Sequence, residues 1–132
     1  MEIKDIKILM VDDQTEMTDA IYRLLRSYGI KNENTKACIN GEDALKELHS
    51  NSDYDLVLSD LNMPKMDGIE LLKAVMADEN LKEIVFVLMS SSVFTDPVER
   101  MYLSLGAKYV IEKGYFPDKI EEVLNFVVTT SR

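Results

Sequence analysis

The sequence predicts an α/β fold in which a doubly wound, parallel sheet of five strands carries helices on both faces. Three observations lead to this prediction. Short apolar runs alternate with helical patterns five times along the chain. Several runs are apolar at nearly every position, which is typical of strands buried on both faces of a parallel sheet. Each run is also separated from the next by a helix, and right-handed crossovers of this kind place helices on both sides of the sheet.

The first half of the chain contains two strand–helix units. Residues 6–11 form a short run rich in β-branched side chains that ends at two aspartates, which predicts a buried strand. A helix follows, with Thr15 as its expected N-cap and Gly29 as its stop. Its apolar positions are Met17, Ile21, Leu24, Leu25 and Tyr28. Residues 35–39 predict a weaker second strand. The helix after it has Ala44, Leu45 and Leu48 on one face.

The second half contains three more units. Residues 55–60 predict the third strand, and a loop containing Pro64 separates it from the next helix. The fourth strand is predicted over residues 85–89 and the fifth over residues 109–112. The last helix is expected from about Pro117. Apolar residues recur at helical spacing in the three helices: Ile69, Leu72, Val75 and Met76; Val98, Met101, Tyr102 and Leu105; Ile120, Val123, Leu124 and Val127.

Composition limits the class of protein. The 132 residues are 46% apolar and suit one domain over residues 1–132, with a core that needs no disulfide or metal. The net charge of −9 is spread along the chain and argues against direct binding to nucleic acid or insertion into membranes. The longest apolar run has six residues, no secretory signal is visible, and a lone Cys38 excludes an internal disulfide. We therefore expect a cytoplasmic protein.

Polar side chains at the ends of the predicted strands are the candidate functional residues. In open parallel sheets, chemistry takes place at the carboxyl ends of the strands. The first strand ends in Asp12 and Asp13, the third in Asp60 and the fourth in Ser90, and the fifth leads into Lys113. Each of these could simply begin a loop, but that explanation is weaker for the whole set. Neighbouring carboxylates repel each other, and a hard cation such as Mg²⁺ would remove that conflict.

The residues at these strand ends resemble those of a known family. The string from Leu58 to Gly68, Leu-Ser-Asp-Leu-Asn-Met-Pro-Lys-Met-Asp-Gly, is similar to the phosphoacceptor loop of response regulator receiver domains in two-component systems. The paired aspartates, the hydroxyl after the fourth strand and the Gly106-Ala107…Lys113 segment match the same family in order and spacing. The resemblance covers residues 4 to 128 and is nearest to stand-alone, chemotaxis-type receivers. It implies the flavodoxin-like strand order 2-1-3-4-5.

The resemblance implies a role for each site residue. Asp60 would accept a phosphoryl group from a sensor histidine kinase or a phosphotransfer protein. Asp13 and Asp60 would ligate Mg²⁺ through their side chains and Asn62 through its carbonyl oxygen, whereas Asp12 would hold the ion through water. Ser90 and Lys113 would contact the phosphoryl group. The side chains of Asn62 and Ser92 occupy positions that tune dephosphorylation in the family. The output would be a protein contact on the face formed by helix four, strand five and helix five.

Two positions depart from the family pattern. Lys113 is followed by Gly114 rather than by proline, and a cis bond before a non-proline residue is costly, so we expect a trans peptide. The aromatic switch position of the family is occupied by Val110. Tyr109 lies beside it, but alternation along the strand sends these two side chains to opposite faces. We expect phosphorylation to survive both departures, and an aromatic rotamer switch to be missing.

Other residues have simpler interpretations or stay open. His49 is expected on the surface, and Cys38 in the core as a small apolar side chain. Four apolar residues flank the fourth helix and the fifth strand: Val93, Phe94, Tyr115 and Phe116. Exposed together, they would mark an interaction site, but capping of the core explains them equally well.

Four functions are compatible with this pattern. The first is a phosphorylation-controlled switch that is not a metabolic enzyme. The second is a receiver cut from a larger regulator or hybrid kinase with a DNA-binding or enzymatic output. A Mg²⁺-dependent phosphatase of the haloacid type is disfavoured, because Asn62 stands where that class has a general acid. A flavin-binding relative of flavodoxin is the fourth, but this sequence has no second Gly- or Ser-rich loop that would support a phosphate-binding site of that kind.

Overall fold

A computed structural model describes residues 1–130 of the chain. Its strands are β1 (Ile8–Val11), β2 (Thr35–Cys38), β3 (Leu56–Asp60), β4 (Val85–Ser90) and β5 (Tyr109–Glu112). Its α-helices are α1 (Thr15–Ser27), α2 (Gly41–Ser50), α3 (Gly68–Met76), α4 (Asp96–Ser104) and α5 (Phe116–Thr130). The strands form one parallel sheet in the order β2-β1-β3-β4-β5. The predicted fold class and strand order are confirmed.

Both faces of the sheet are buried. Along β1, Ile8 and Met10 point into a cluster formed with α1 and α5, whereas Leu9 and Val11 point into a second cluster on the other face with α2 and α3. All four side chains are fully buried. Apolar contact on both faces explains why β1, β3 and β4 are apolar at nearly every position.

Register positions the polar strand ends at one edge. Val11, the last residue of β1, pairs with Ser59 of β3, so the residues that come next in the sequence, Asp12 and Asp60, lie side by side. Ser90 ends the neighbouring strand β4 and pairs with Glu112 of β5. The carboxyl edge of the sheet therefore gathers residues that lie far apart in sequence.

Several element boundaries differ from those predicted. The first strand begins at Ile8 rather than at residue 6, because Ile6 is buried but its N–H donates to Ile3 in a 3₁₀ turn instead of to a neighbouring strand. The N-cap of α1 is Gln14 rather than Thr15. Gly29 does end the helix, with a positive φ of 86°.

The segment after β5 continues directly into α5. Residues Lys113–Tyr115 form a 3₁₀ turn, and Phe116 begins the last helix. Residues 1–130 contain no cis peptide bond, so the bond between Lys113 and Gly114 is trans, as predicted. No helix in the described part of the chain is long and apolar enough to cross a membrane.

Candidate functional site

Three carboxylates meet at the carboxyl edge of the sheet. Oxygen atoms of Asp12, Asp13 and Asp60 all lie within 4.8 Å of one another. Asp12 and Asp60 are buried, at 1% and 6% exposure, whereas Asp13 is exposed at the mouth of the site. The backbone N–H of Gln14 donates to Oδ1 of Asp12 over 2.9 Å and fixes the orientation of that side chain.

One ammonium group faces this acidic cluster. Lys113, directly after β5, places Nζ 2.9 Å from Oδ2 of Asp12 and 3.4 Å from Oδ1 of Asp60. The contact with Asp12 is a short, buried ion pair, so Oδ2 of Asp12 already has the Lys113 ammonium as a partner. The lysine is mostly shielded, with 12% of its side chain exposed.

The charges at the site affect each other strongly. Burial raises the pKa of Asp60, the negative charge of Asp12 raises it further, and the nearby Lys113 only partly offsets them. Burial lowers the pKa of Lys113, but the carboxylates of Asp12 and Asp60 outweigh it, so the pKa lies above the ordinary value for lysine. The cluster therefore holds more negative charge than one ammonium group neutralises.

The residues fit a hard divalent cation. Three carboxylates with clustered oxygen atoms form the all-oxygen donor set that Mg²⁺ prefers. The raised pKa of Asp60, caused by burial and by the charge of Asp12, indicates that further positive charge would be stabilised there. Asn62, the remaining candidate ligand, lies two residues beyond β3 in the adjacent loop, with its side chain exposed.

The hydroxyl of Ser90 is bound to its own loop. Its Oγ donates to the carbonyl of Ser92 over 2.8 Å and accepts from the N–H of Ser92 over 3.1 Å. Ser90 is buried, whereas Ser91, Ser92 and Val93 are exposed. The hydroxyl is thus at the predicted strand end, in a compact turn at the start of the connection to α4.

The loop after Asp60 is held against the body of the protein. The N–H of Gly68 donates to the carbonyl of Leu61 over 2.9 Å, and a Cβ at Gly68 would lie 2.2 Å from the carbonyl oxygen of Asp60. The N–H of Gly41, at the start of α2, donates to the carbonyl of Met66 over 3.0 Å. These contacts fix the backbone on which Asp60 stands.

Comparison with known proteins identifies the family. Residues 8–125 match the response regulator receiver domain. The chain belongs to this family. The chemotaxis protein CheY of Pseudomonas aeruginosa is 41% identical over 125 residues, which cover 92% of this chain and 98% of that protein. The chemotaxis protein CheY1 of Helicobacter pylori is 31% identical over 126 residues, which cover 96% and 99%.

A solved structure agrees with this assignment. The signal receiver domain of a signal transduction histidine kinase from Syntrophus aciditrophicus superposes with a TM-score of 0.80 at 25% identity, covering 95% of this chain and 91% of that one. Receivers of this type are signalling proteins of two-component systems that interact with histidine kinases and downstream targets.

The packing of this receiver shows where Tyr109 and Val110, the residue at the aromatic switch position of the family, are placed. Tyr109 packs on the α5 side, edge-on to the ring of Phe126 with centroids 5.7 Å apart and an interplanar angle of 83°. Val110 packs on the opposite face, against the core cluster formed with α2 and α3. The two side chains thus lie on opposite faces of the receiver's sheet, as alternation predicts.

The four apolar residues near α4 and β5 of the receiver do not form a single patch. Phe116 is 1% exposed and belongs to the core, whereas Val93 is 86% and Tyr115 59% exposed. Phe94 is half-buried. Capping of the core is therefore confirmed for Phe116, whereas Val93 and Tyr115 are exposed. Two residues of α4 add to the exposed apolar surface, Met101 and Leu103.

Two groups that support the receiver's site were not predicted from sequence. The N–H of Gln14 orients Asp12, and Gly41 binds the loop that follows Asp60. A glycine at a helix start is a signal for close backbone approach, but its contact cannot be read without the fold. His49 is exposed and lies 3.2 Å from Asp78, and Cys38 is buried at the end of β2, as expected.

Proposed function

We propose that this chain is a single receiver domain over residues 1–132 that accepts a phosphoryl group on Asp60 from the phosphohistidine of a sensor histidine kinase or phosphotransfer protein. The observation that carries the proposal is the position of Asp60, buried among the carboxylates of Asp12 and Asp13 with the ammonium of Lys113 3.4 Å away. A carboxylate nucleophile beside a metal ligand set and a fixed cation suits phosphoryl transfer.

The transfer is a displacement at phosphorus. A carboxylate oxygen of Asp60 forms a bond to phosphorus while the bond to the donor imidazole nitrogen breaks, and the imidazole leaves with the electron pair. Lys113, held between Asp12 and Asp60, stabilises negative charge on the phosphoryl oxygens. Asp12, Asp13, Asp60 and the Asn62 carbonyl would hold Mg²⁺, which neutralises charge on the phosphoryl group when bound.

Phosphorylation is proposed to change a protein-binding surface. A phosphoryl oxygen on Asp60 competes for the hydroxyl of Ser90, which is bound to Ser92. Loss of those bonds would free the segment that carries Val93 and shift the population of the α4–β5–α5 face toward a second state. A downstream protein that prefers that state would then bind it.

The same chemistry is compatible with a chain that is one domain of a larger protein. The solved relative from Syntrophus aciditrophicus is the receiver domain of a histidine kinase, so this chain could be the receiver of a larger protein. The phosphatase alternative stays disfavoured, because the exposed amide of Asn62 cannot donate a proton as an acid.

The first experiment tests Asp60 as the acceptor. Wild type, Asp60→Asn and the control Asp19→Asn, which removes an exposed carboxylate of α1, are incubated with acetyl phosphate with and without Mg²⁺. Intact mass spectrometry should show one added phosphoryl group in wild type and Asp19→Asn, only with Mg²⁺, and none in Asp60→Asn. Beryllofluoride, a phosphoryl mimic, covers the case in which small donors do not react.

The outcomes are distinct. A gain of mass that survives Asp60→Asn would move the acceptor elsewhere. Failure of both acetyl phosphate and beryllofluoride in folded wild type would refute the proposed function. Continuous release of phosphate from p-nitrophenyl phosphate would instead favour the phosphatase.

A second experiment tests the metal site through stability. Mg²⁺ at 100 times its dissociation constant should raise the free energy of unfolding of wild type by about 2.7 kcal/mol. Asp13→Asn should lose most of this gain, because it removes the one exposed carboxylate of the cluster. Urea unfolding with and without Mg²⁺ measures the difference, and Asp19→Asn should keep the full effect. An equal Mg²⁺ effect in all three proteins would exclude this metal site.

A further inference from the structure

The segment between β2 and α2 contacts two parts of the site that are distant in sequence. This β2–α2 junction runs from Cys38, the last residue of β2, to Gly41, the first residue of α2. The carbonyl of Cys38 accepts the N–H of Asp12 over 3.0 Å. The N–H of Gly41 donates to the carbonyl of Met66, in the loop after Asp60, also over 3.0 Å. The junction therefore holds the backbone of one site carboxylate and the loop that follows another.

The β2–α2 junction is fixed by its backbone and by one buried side chain. Asn40 is 2% exposed, and its Oδ1 accepts the N–H of Asp43 over 2.8 Å, which caps α2. The Nδ2 atom of Asn40 also donates to Oδ2 of Asp43 over 3.1 Å. Ile39, in contrast, is 56% exposed. A change of the Ile39 side chain should therefore leave both hydrogen bonds between the junction and the site in place.

The loop on the other side of this contact has a strained tip. Its base is closed by the N–H of Gly68, which donates to the carbonyl of Leu61 over 2.9 Å. Near its tip, Lys65 has a positive φ of 66°, which is unfavourable for a residue with a side chain. The bond from Gly41 restrains the next residue, Met66. A Cβ at Gly41 would lie 2.5 Å from the Met66 carbonyl oxygen, so this approach requires glycine.

We propose that Gly41 is a positioning residue of the metal site. Through Met66 it sets the conformation of the loop that contains Asn62, the candidate carbonyl ligand. This role rests on the proposed Mg²⁺-dependent function and adds to it a residue that is not itself a ligand. Because Mg²⁺ demands nearly ideal octahedral geometry, displacement of the loop should weaken its binding. By linkage, bound Mg²⁺ should in turn stabilise the hydrogen bond from Gly41 to Met66.

The first test compares the Mg²⁺ affinity of wild type and three variants by calorimetric titration. In Gly41→Ala the new Cβ displaces Met66, and the dissociation constant for Mg²⁺ should rise about tenfold, as for other groups that orient metal ligands. Lys46→Gly destabilises α2 at an exposed position away from the junction and should keep the wild-type affinity. Ile39→Ser changes the exposed side chain of the junction and should keep it as well. The amide NMR spectrum of each variant verifies its fold.

A second measurement uses wild type and is independent of whether Gly41→Ala folds. Amide hydrogen exchange is followed with and without Mg²⁺, and the ion should slow exchange at Gly41. The reference is Asn51, whose N–H donates to the carbonyl of Glu47 at the other end of α2. Exchange at Asn51 should be the same in both conditions.

Three results would overturn the proposal: an unchanged Mg²⁺ affinity in Gly41→Ala, an equal loss of affinity in Lys46→Gly, and exchange at Gly41 that does not respond to Mg²⁺. In each of these cases wild type still binds Mg²⁺, and the proposed function stands. Failure of wild type to bind Mg²⁺ would overturn the proposed metal-dependent function together with the role of Gly41, so the two failures can be told apart.

Discussion

Lys65 has the one positive φ found at a non-glycine residue within residues 1–130, at 66°. The N–H of Met66 donates to the carbonyl of Pro64 over 2.8 Å, so Lys65 is the centre of a γ-turn. A γ-turn with positive φ is rare and strained for residues with a side chain. The turn lies in the loop that follows Asp60, and it directs the carbonyl of Met66 toward the N–H of Gly41.

Replacing Lys65 by glycine should therefore stabilise the protein. Relief of the positive φ is expected to outweigh the flexibility that glycine adds to the unfolded chain, with a net gain of about 0.5–1 kcal/mol in the free energy of unfolding. Urea denaturation measures the change. Lys73→Gly, at an exposed position of α3, is the matched control and should lose about 1 kcal/mol. Equal losses in both variants would show that the turn carries no strain.

The positions of the site residues could be predicted from the sequence better than their contacts. Asp12 and Lys113 follow predicted strands and Asp60 ends one, and a parallel sheet brings such strand ends to one edge. The pairing of Lys113 with Asp12 at 2.9 Å, and of Ser90 with Ser92, depends on rotamers selected by the packed fold. Burial of Phe116 has the same origin, because its local sequence resembles a loop.

Among the elements, the start of α3 is constrained by a capping box and by a close backbone approach. Asp67 caps the helix, accepting the N–H of Glu70 over 2.8 Å while the Glu70 side chain accepts the N–H of Asp67 over 3.1 Å. Gly68 follows and touches the backbone of Asp60. Helix, loop and acceptor strand therefore meet at one glycine.

Gly68→Ala should disturb both stability and the site. Its Cβ would lie 2.2 Å from the Asp60 carbonyl oxygen, so backbone must move, at a cost of about 1–3 kcal/mol in the free energy of unfolding. Beryllofluoride affinity should fall as well. Gly114→Ala is the control, since a Cβ there meets no atom within 4 Å, and it should change the free energy of unfolding by less than about 1 kcal/mol. Similar behaviour of the two variants would contradict this account.

The five strands and five α-helices were predictable from the sequence, and β5 has its predicted bounds, but several other boundaries differ. Periodicity indicates which residues are buried, and Ile6 is buried. Whether a buried residue also pairs with a strand depends on where its hydrogen bonds go, and those of Ile6 go to a 3₁₀ turn. The N-cap of α1 is Gln14 rather than the predicted Thr15, because the hydrogen bond from the N–H of Gln14 to Asp12 sets the turn after β1.

For the whole molecule, the acidic cluster should make stability depend on pH. The pKa of Asp60 is raised in the folded state, so between the ordinary aspartate value, about 4, and that raised pKa the native protein holds a proton that the unfolded chain has released. Stability contributed by Asp60 is therefore lost as pH rises through this window. Above it, the folded state keeps an unfavourable charge.

Asp60→Asn should thus be more stable than wild type at pH 7 without Mg²⁺, and the difference should shrink as pH falls toward about 4. Urea unfolding across pH 4 to 8 measures it, with Asp19→Asn as the matched control that should follow wild type at every pH. An Asp60→Asn advantage that stayed constant or grew on acidification would reverse the assigned sign.

The pairing of Val11 with Ser59 has a consequence for how variants would be interpreted in a cell. Asp12 and Asp60 are neighbours only while β1 and β3 are joined, and Asp13 and Asp60 are 47 positions apart in the sequence. The capacity to be phosphorylated is therefore a measure of the folded population. A substitution of a fully buried residue such as Leu9 or Val57 would weaken a signalling output by lowering the amount of folded protein. In an assay that does not measure the amount of folded protein, its effect would look like the loss of the acceptor.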